Sequence, residues 1–600
     1  MQQMTLQKLH DVPADLEASW VGISVPVVLH ELAGAEVLWI NRRWFLSRGI
    51  DTSQPERVKE IEDWLLDRFA YGVREDFHSP DQFTDRTRNA LVDRYGGRGI
   101  GNSGGGGRCA YMDGFYVKGV GPTPLRDSSG PFFHIHGALT LEEAIRETVL
   151  AEIACAEFPL GAIPSIAILG MRPRLFQGDA DPRGEPRALM IRPAFKRVGH
   201  LEPATQFIAK LRPDEASADA SRVAFALREW IEGGASTPLI DLAEHLGIQL
   251  AFGRVHRMSH GSFVSSNVSQ AGELADFGSF RALPNWEAAH TVRGMPPFGQ
   301  ELPTVSRTIV WDLAFQVQRL KHLLPSQVNA NEAGAAVSAL QAAFNETLKI
   351  ETRRLFGLAA HDPVAGDVVA LCNRYFSVQN RVVRDFYDAA QRDAPSEWLL
   401  KQLTTDSPES EATVTELGRL AMSIDEALDQ SSAPAAARLT AQRMLMPRSG
   451  IYRESLQAWA YTLVFNTSTW LRENLRAAIA QRIAESRRVW KEAADPGLAV
   501  LGQALDDHGN SALWLRDAQR CGFMRLTVTF AAGHSCLFDQ RLAAREFLDD
   551  TNPVQDGVAT IDVATPQGYN GTTQLTLPGT GVTLPPMTLT YVGAECAEVV

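Results

Sequence analysis

Eight glycines fall within the twelve residues from Gly96 to Gly107, in the string GGRGIGNSGGGG, and no regular element runs through such a segment. The string must be a loop, and the residues after it decide its class. Gly99, Gly101 and Gly104 satisfy G-x-G-x-x-G, but a dinucleotide-binding fingerprint needs a helix directly after the glycines. Here Arg108 leads instead into CAYMDGFYVKGVG, a strand-like stretch that carries Lys118. Glycine loop, strand and lysine, in that order, is the layout of a kinase-type ATP site, where the lysine holds phosphates and pairs with a glutamate on a nearby helix. The same glycine composition also suits a flexible linker, so the order of the later motifs has to carry the weight.

A helix suited to that glutamate comes next. Thr140 with Glu143 three residues on forms a capping box, and Leu141, Ala144, Ile145, Thr148, Ala151 and Cys155 recur at helical spacing, which predicts a helix over 140–157 packed on a sheet. It offers Glu143 and Glu147, whose alternative role is a solvated helix face. Farther on, HGSFVSSN at 260–267 is followed, nine residues after Asn267, by Asp276 in Asp276-Phe277-Gly278. An amide oxygen and a carboxylate joined by a short hairpin suit Mg2+ bound with nucleotide phosphates. Between these motifs, residues 172–197 hold seven basic and three acidic side chains, a local charge of +4. Most of these arginines solvate a loop, whereas Arg192 and Arg197, set among apolar residues, suit phosphate oxygens.

Positive charge is concentrated there because the chain as a whole is acidic. Fifty-eight Lys and Arg against 71 Asp and Glu leave −13, which argues against broad attraction to nucleic acid or anionic membranes. Six cysteines without a C-x-x-C pair point to reduced thiols. The longest apolar run, 160–171, contains Pro164 and is too short to span a bilayer, and the first residues lack the pattern of a signal peptide, so a cytoplasmic protein is expected. His534-Ser535-Cys536 reads as ordinary sheet sequence, and His134 and His136 lack a third metal ligand nearby.

Patterning along the chain predicts an α+β protein in three parts. Short apolar runs at 25–29, 37–40, 115–117 and 166–169 read as strands among amphipathic helices, with Pro26 restricting the first to a sheet edge. From 305 to 500 the pattern is helical, interrupted at 405–429 by seven acidic residues against one arginine and then by SSAPAAAR, which reads as a solvated linker or loop. FMRLTVTF at 523–530, VATIDV at 558–563, TTQLTL at 572–577 and MTLTYV at 587–592 alternate like strands. The expected parts are a nucleotide-binding catalytic region over 1–320, a helical extension over 321–500 and a β-rich domain over 501–600.

The strings AEVLWINRRWFLSRGID, GGGGRCA, FYVKGVGPTPL, IRETVLAE, GAIPSIAIL, RPAFKRVGHLE, SHGSFVSSN and ADFGSF, in that order, resemble the selenoprotein O family of kinase-like protein adenylyltransferases. The resemblance spans roughly residues 20–320 and rests most on KGVGPTPL and the Asn267 to Asp276 spacing. It implies a two-lobed protein-kinase-like fold in which ATP is held reversed, so that AMP passes to protein hydroxyls, with ATP and Mg2+ required. It implies that Lys118 pairs with Glu147, that Asn267 and Asp276 hold the metal, and that Arg192 and Arg197 contact phosphates. Arg108 falls on the arginine of the family's glycine loop, with Gly104, Gly105, Gly106 and Gly107 before it. The spacing between the two phosphate arginines is shorter here than in the family. Cys596 stands near the C-terminus, where family members carry a redox-active residue, but its surroundings do not match.

One departure bears on mechanism. The family's aspartate before the metal-binding asparagine is Ser266 here, and the aspartate of an H-G-D pattern is Ser262. A neutral serine does not activate an alcohol as a general base. Three readings therefore stay open. The chain adenylylates hydroxyls with another base; or it activates a carboxylate, such as a peptide C-terminus, as an acyl-adenylate; or it is a nucleotide-binding pseudoenzyme scaffold. The second resembles the modified-peptide pathways of siderophore-linked microcins, where diverged relatives of the family occur. The expected partner is a protein or peptide substrate, not nucleic acid or membrane, with the C-terminal regions available to a partner protein or a second copy.

Overall fold

A computed structural model describes residues 6–9 and 13–379, apart from 76–78, 97–103, 127–134, 177–183, 205–212, 234–236, 284–287, 291–294, 324–332, 357 and 359–360. Beyond them it describes 383–385, parts of 415–430, 449–466, 472–486 and strands between 498 and 598. Eight strands form one sheet: β1 Ser24–Leu32, β2 Glu36–Ile40, β3 Tyr71–Gly72, β4 Phe83–Asp93, β5 Cys109–Met112, β6 Phe115–Lys118, β7 Ala167–Leu175 and β8 Glu185–Pro193. Their order is β2-β7-β8-β6-β5-β4-β1-β3, and each neighbouring pair is antiparallel. Together with the helices around it, this makes the chain a mixed α+β protein.

At the centre, β5 and β6 are joined by Asp113-Gly114 with φ of 50° and 83°. Asp-Gly with both residues at positive φ is the two-residue hairpin whose twist matches the strands. The turn fixes the register Met112↔Phe115 through Cys109↔Lys118. With a side-chain period of two, that register sorts every residue by face.

Ala110, Met112, Phe115, Val117, Leu189 and Ile191 face a core completed by Phe45, Ile61, Leu65 and Phe69. The last three belong to the helix Pro55–Phe69, whose buried residues recur at three- and four-residue spacing after a proline in its first turn. Each such side chain, taken fully out of water, contributes about 2 kcal/mol. Tyr111, Tyr116, Ala188 and Met190 face the opposite core with Ala144, Ile145 and Leu150 of the helix Leu141–Glu157. Lys118 and Arg192 share that second parity, since Tyr116 pairs with Arg192 and Lys118 with Met190. The sheet therefore delivers both cations to one face.

Expectation and structure differ in three places. The strand holding Pro26 is last but one in the sheet rather than outermost, but the two-residue β3 covers it only at His30 and Glu31, so at Pro26 it is an edge. The acidic segment expected to be a loop is helical wherever 415–428 is described, and its Leu420 and Ile424 are buried. Residues 405–414 and 431–438 lie outside the described residues. The C-terminal sheet begins earlier than expected, with Leu498–Leu505 and Ser511–Asp517 preceding Phe523–Thr529 and Ser535–Arg541 in antiparallel succession. Gly571–Thr573 pairs with Met587–Leu589, while the strand expected at 558–563, like His534, lies outside the described residues.

Helices after residue 321 enter the same core as the sheet. Leu340 and Phe344 of Ala333–Leu355 and Leu456 and Ile479 of Arg453–Asn466 and Arg472–Ser486 pack with the residues around Leu141–Glu157. Gly247, in the helix Pro238–Val255, permits close backbone contact, because a Cβ there would stand 2.5 Å from the Leu340 carbonyl oxygen. Arg476 pairs with Glu62 at 2.6 Å and donates to the Val37 carbonyl at 2.9 Å. Among the described residues no helix is long and apolar enough to cross a membrane.

Candidate functional site

Lys118 ends β6 and is 1% exposed. A buried ammonium needs anionic partners, and the facing helix provides them. Thr140 caps that helix by accepting from the Glu143 backbone N–H at 3.2 Å, and one and two turns on it carries Glu143 and Glu147 toward the sheet. Lys118 Nζ lies 2.5 Å from Glu147 Oε1, 3.2 Å from Asp276 Oδ1 and 3.8 Å from Glu143 Oε1. Glu143 is held mainly by the Arg108 fork, at 2.8 and 3.2 Å. Of the two candidate glutamates, Glu147 thus contacts the lysine most closely and Glu143 ties the residue after the glycines to the helix.

Asp276 reaches the cluster from another direction. Asn267 ends the turn Ser265–Asn267, and its carbonyl accepts from Ala275 N–H at 2.9 Å, which closes the hairpin ahead of Asp276. His260 donates through Nε2 to the Ala275 carbonyl at 2.9 Å, and Arg146 donates to the Gly278 carbonyl at 2.8 Å. Asp276 itself sits at φ +62°, a left-handed conformation that aspartate tolerates better than most residues. Gly278 lies so close to the carboxylates that a Cβ on it would be 3.2 Å from Glu147 Oε1.

Electrostatics follow from this crowding. Burial alone would raise the Asp276 carboxyl, but Lys118, Arg192, Arg108 and Arg197 outweigh it and hold the group well below the usual carboxylate range. Burial likewise works against ionised Glu143, and Arg108 with Lys118 overcomes it and brings the group down to about 2. Glu147 moves the other way, raised by burial and then by Asp276 and Glu143 against the pull of Lys118. Asp276, whose side chain is 35% exposed, is the ionised carboxylate open to a ligand.

The two arginines differ in what holds them. Arg197 lies with its guanidinium 4.6 Å from the Phe195 ring centre and 5.0 Å from that of Tyr95, and it donates to the Ser266 carbonyl. Arg192 is 3% exposed and sits 5.5 Å over Phe195. Among the described residues no carboxylate pairs with Arg192, and its buried Nε has no acceptor.

The glycines read differently in three dimensions. Gly99 and Gly101 lie outside the described residues. Gly104 has φ +82°, Gly106 N–H donates to the Asp93 carbonyl at 2.9 Å and Gly107 N–H to Gly105 at 2.9 Å. A Cβ on Gly105 would meet Leu125 at 2.3 Å and one on Gly106 the Asp93 carboxylate at 2.8 Å. Close packing against the end of β4 accounts for Gly105 and Gly106, and the amide of Gly106 is spent on the end of β4 and that of Gly107 within the loop.

Among the described residues no group of three or more His, Cys, Asp or Glu converges as a metal cluster. The available donors are oxygens. Asn267 Nδ2 donates to Ser262 at its carbonyl, 3.0 Å away, and its hydroxyl, 3.3 Å away, which orients Oδ1 as the amide's acceptor side. An amide oxygen and an ionised carboxylate fit Mg2+, which binds few protein oxygens and completes its shell with water and phosphate. Ser262 and Ser266 bring hydroxyls, not carboxylates, to this hairpin.

No protein-family model matches the chain, and no curated protein matches it significantly. Geometry therefore has to carry the functional reading. It also adds residues that the sequence reading passed over. Asp93 and His200 lie buried beneath Arg197, with Asp93 Oδ2 3.0 Å from His200 Nε2. The available signal was a single aspartate closing the apolar run Ala90-Leu91-Val92, but nothing in the spacing linked it to a histidine 107 positions away.

Proposed function

We propose that the chain is a Mg2+- and ATP-dependent nucleotidyltransferase that passes AMP to a protein or peptide acceptor, built on a two-lobed kinase-like plan. In this plan the sheet with its Leu141–Glu157 helix forms one lobe. The helices from Pro213 onward, with the 260–276 hairpin, form the other. The observation that carries the reading is Arg192, a buried guanidinium whose Nε has no acceptor, acting with the buried lysine of a lysine–glutamate pair on one ionised aspartate. A buried donor left without an acceptor costs free energy, and a phosphate oxygen matches the guanidinium fork.

In the reaction the acceptor oxygen bonds to the α-phosphorus, the bond from that phosphorus to the bridging oxygen breaks, and pyrophosphate leaves. Lys118, oriented by Glu147, and Arg192 and Arg197 bind phosphate oxygens and stabilise the charge that develops on them. Asn267 Oδ1 and Asp276 would hold Mg2+, which when bound would neutralise phosphate charge. Transfer of AMP rather than of the terminal phosphate rests on the resemblance of the ordered motifs. Incubation with ATP labelled at the α or the γ phosphate tests it: label in the acceptor from the α position only is expected, and label from γ only would make the chain a kinase.

A second reading is favoured by Ser262 and Ser266. Neither offers a base, Ser262 Oγ already accepts from Asn267, and Glu143, Glu147 and Asp276 all engage cations. A carboxylate acceptor is ionised near neutral pH and needs no base, so its attack would give an acyl-adenylate. Peptide-dependent pyrophosphate release, with a hydroxamate formed in hydroxylamine, distinguishes this version.

A further inference from the structure

Arg197 is held from both ends. Its guanidinium tip donates to the Ser266 carbonyl, next to Asn267. Its backbone N–H donates to His200 Nδ1 at 2.8 Å. That nitrogen is therefore unprotonated, and Nε2 is the one that donates to Asp93 Oδ2 at 3.0 Å. Asp93 also accepts from the Tyr116 hydroxyl at 2.6 Å and lies 3.8 Å from Arg197 Nε. Arg222, itself fixed by Asp219 at 2.8 Å, donates to the His200 carbonyl at 2.7 Å. All of these side chains are buried, and Asp93 receives the Gly106 N–H on its carbonyl. One aspartate thus joins the glycine segment, the Lys118 strand through Tyr116, and the metal hairpin through Arg197.

We infer that Asp93 and His200 are positioning residues that set the tautomer, backbone and aim of Arg197 for an anionic ligand, an assignment that rests on the nucleotide reading. Neither touches the ligand. Their effect passes through Arg197, because a guanidinium placed by a histidine of fixed tautomer loses little freedom when it meets a phosphate. A purely structural role for the pair would affect folding alone.

The test uses the full-length protein and Mg·ATP in titration calorimetry, with thermal melts alongside. His200→Gln keeps a donor for Asp93 but puts a rotatable amide oxygen in place of the fixed ring nitrogen that accepts from Arg197 N–H; Asp93→Asn removes the charge that orients the ring. Both are expected to weaken ATP binding about tenfold, the lower end for orienting groups of this kind. Neither should add to the loss caused by Arg197→Ala when combined with it. Tyr116→Phe, which keeps the ring and leaves the Asp93–His200–Arg197 chain intact, should lower the melting temperature and keep wild-type affinity. If Asp93→Asn does not fold, His200→Gln decides alone. Wild-type affinity in folded His200→Gln, or a loss fully additive with Arg197→Ala, would overturn the relay while leaving the nucleotide reading standing. Absence of ATP binding by the wild-type protein would overturn both.

Discussion

At the scale of single residues, Asp276 concentrates the chemistry. It is strained in backbone, ionised by four neighbouring cations and partly exposed, features that belong to a ligand-binding position more than to a stabilising one. Asp276→Asn keeps a residue that tolerates φ +62° and leaves Lys118 with Glu147. Mg2+-dependent ATP binding is expected to fall about a hundredfold, read by calorimetry with and without the metal, and the apo melting temperature to fall as well, since the pairing with Lys118 is lost. As a depressed carboxylate, Asp276 contributes stability that is fully present above its ordinary value of 3.8 and lost as the pH falls through its lower folded value. Lys118, Glu147 and Asp276 were legible because their motifs follow one another in the order of a kinase-type site. Asp93 and His200 were not, because their partnership exists only once β4 and the segment after β8 are side by side.

Secondary-structure elements place these residues, and the helix Leu141–Glu157 does most of it. Its cap, the start of its core stripe and its two site glutamates all lie in the first two turns. Thr140→Ala removes the acceptor for Glu143 N–H and is expected to cost about 1 kcal/mol, seen as a lower urea midpoint that Thr140→Ser largely restores. The Thr140 cap, without the return bond of a capping box because the Glu143 carboxylate goes to Arg108, and the Asp-Gly hairpin are the most local of these features, since a few adjacent residues dictate both. The segment over 415–428 misled because charge was counted without period: Leu420, Ile424 and Leu428 repeat every four residues, and the first two are buried in the described helix. Glu426 stands exposed beside a stripe that tertiary packing buries.

On the scale of the whole molecule, the division at residue 320 suggested by composition cuts through a core. Leu340, Phe344 and Leu348 pack with residues of the helix Pro238–Val255, and Gly247 meets the Leu340 backbone directly. A chain ending at residue 320 is expected to bind a hydrophobic dye and melt without a cooperative transition, whereas the full chain melts cooperatively and binds little dye. Composition reports which segments are helical or strand-rich, but it carries no information on which buried faces meet.

The eight-stranded sheet carries Lys118 and Arg192 with Tyr116 and Met190 on one side, and Val117, Leu189 and Ile191 on the other, from the same strands in alternation. Val117 and Lys118 are neighbours in β6, one in each environment. Fraying β6 would therefore wet a core on each side of the sheet, so packing on both faces of the strand holds Lys118 in place.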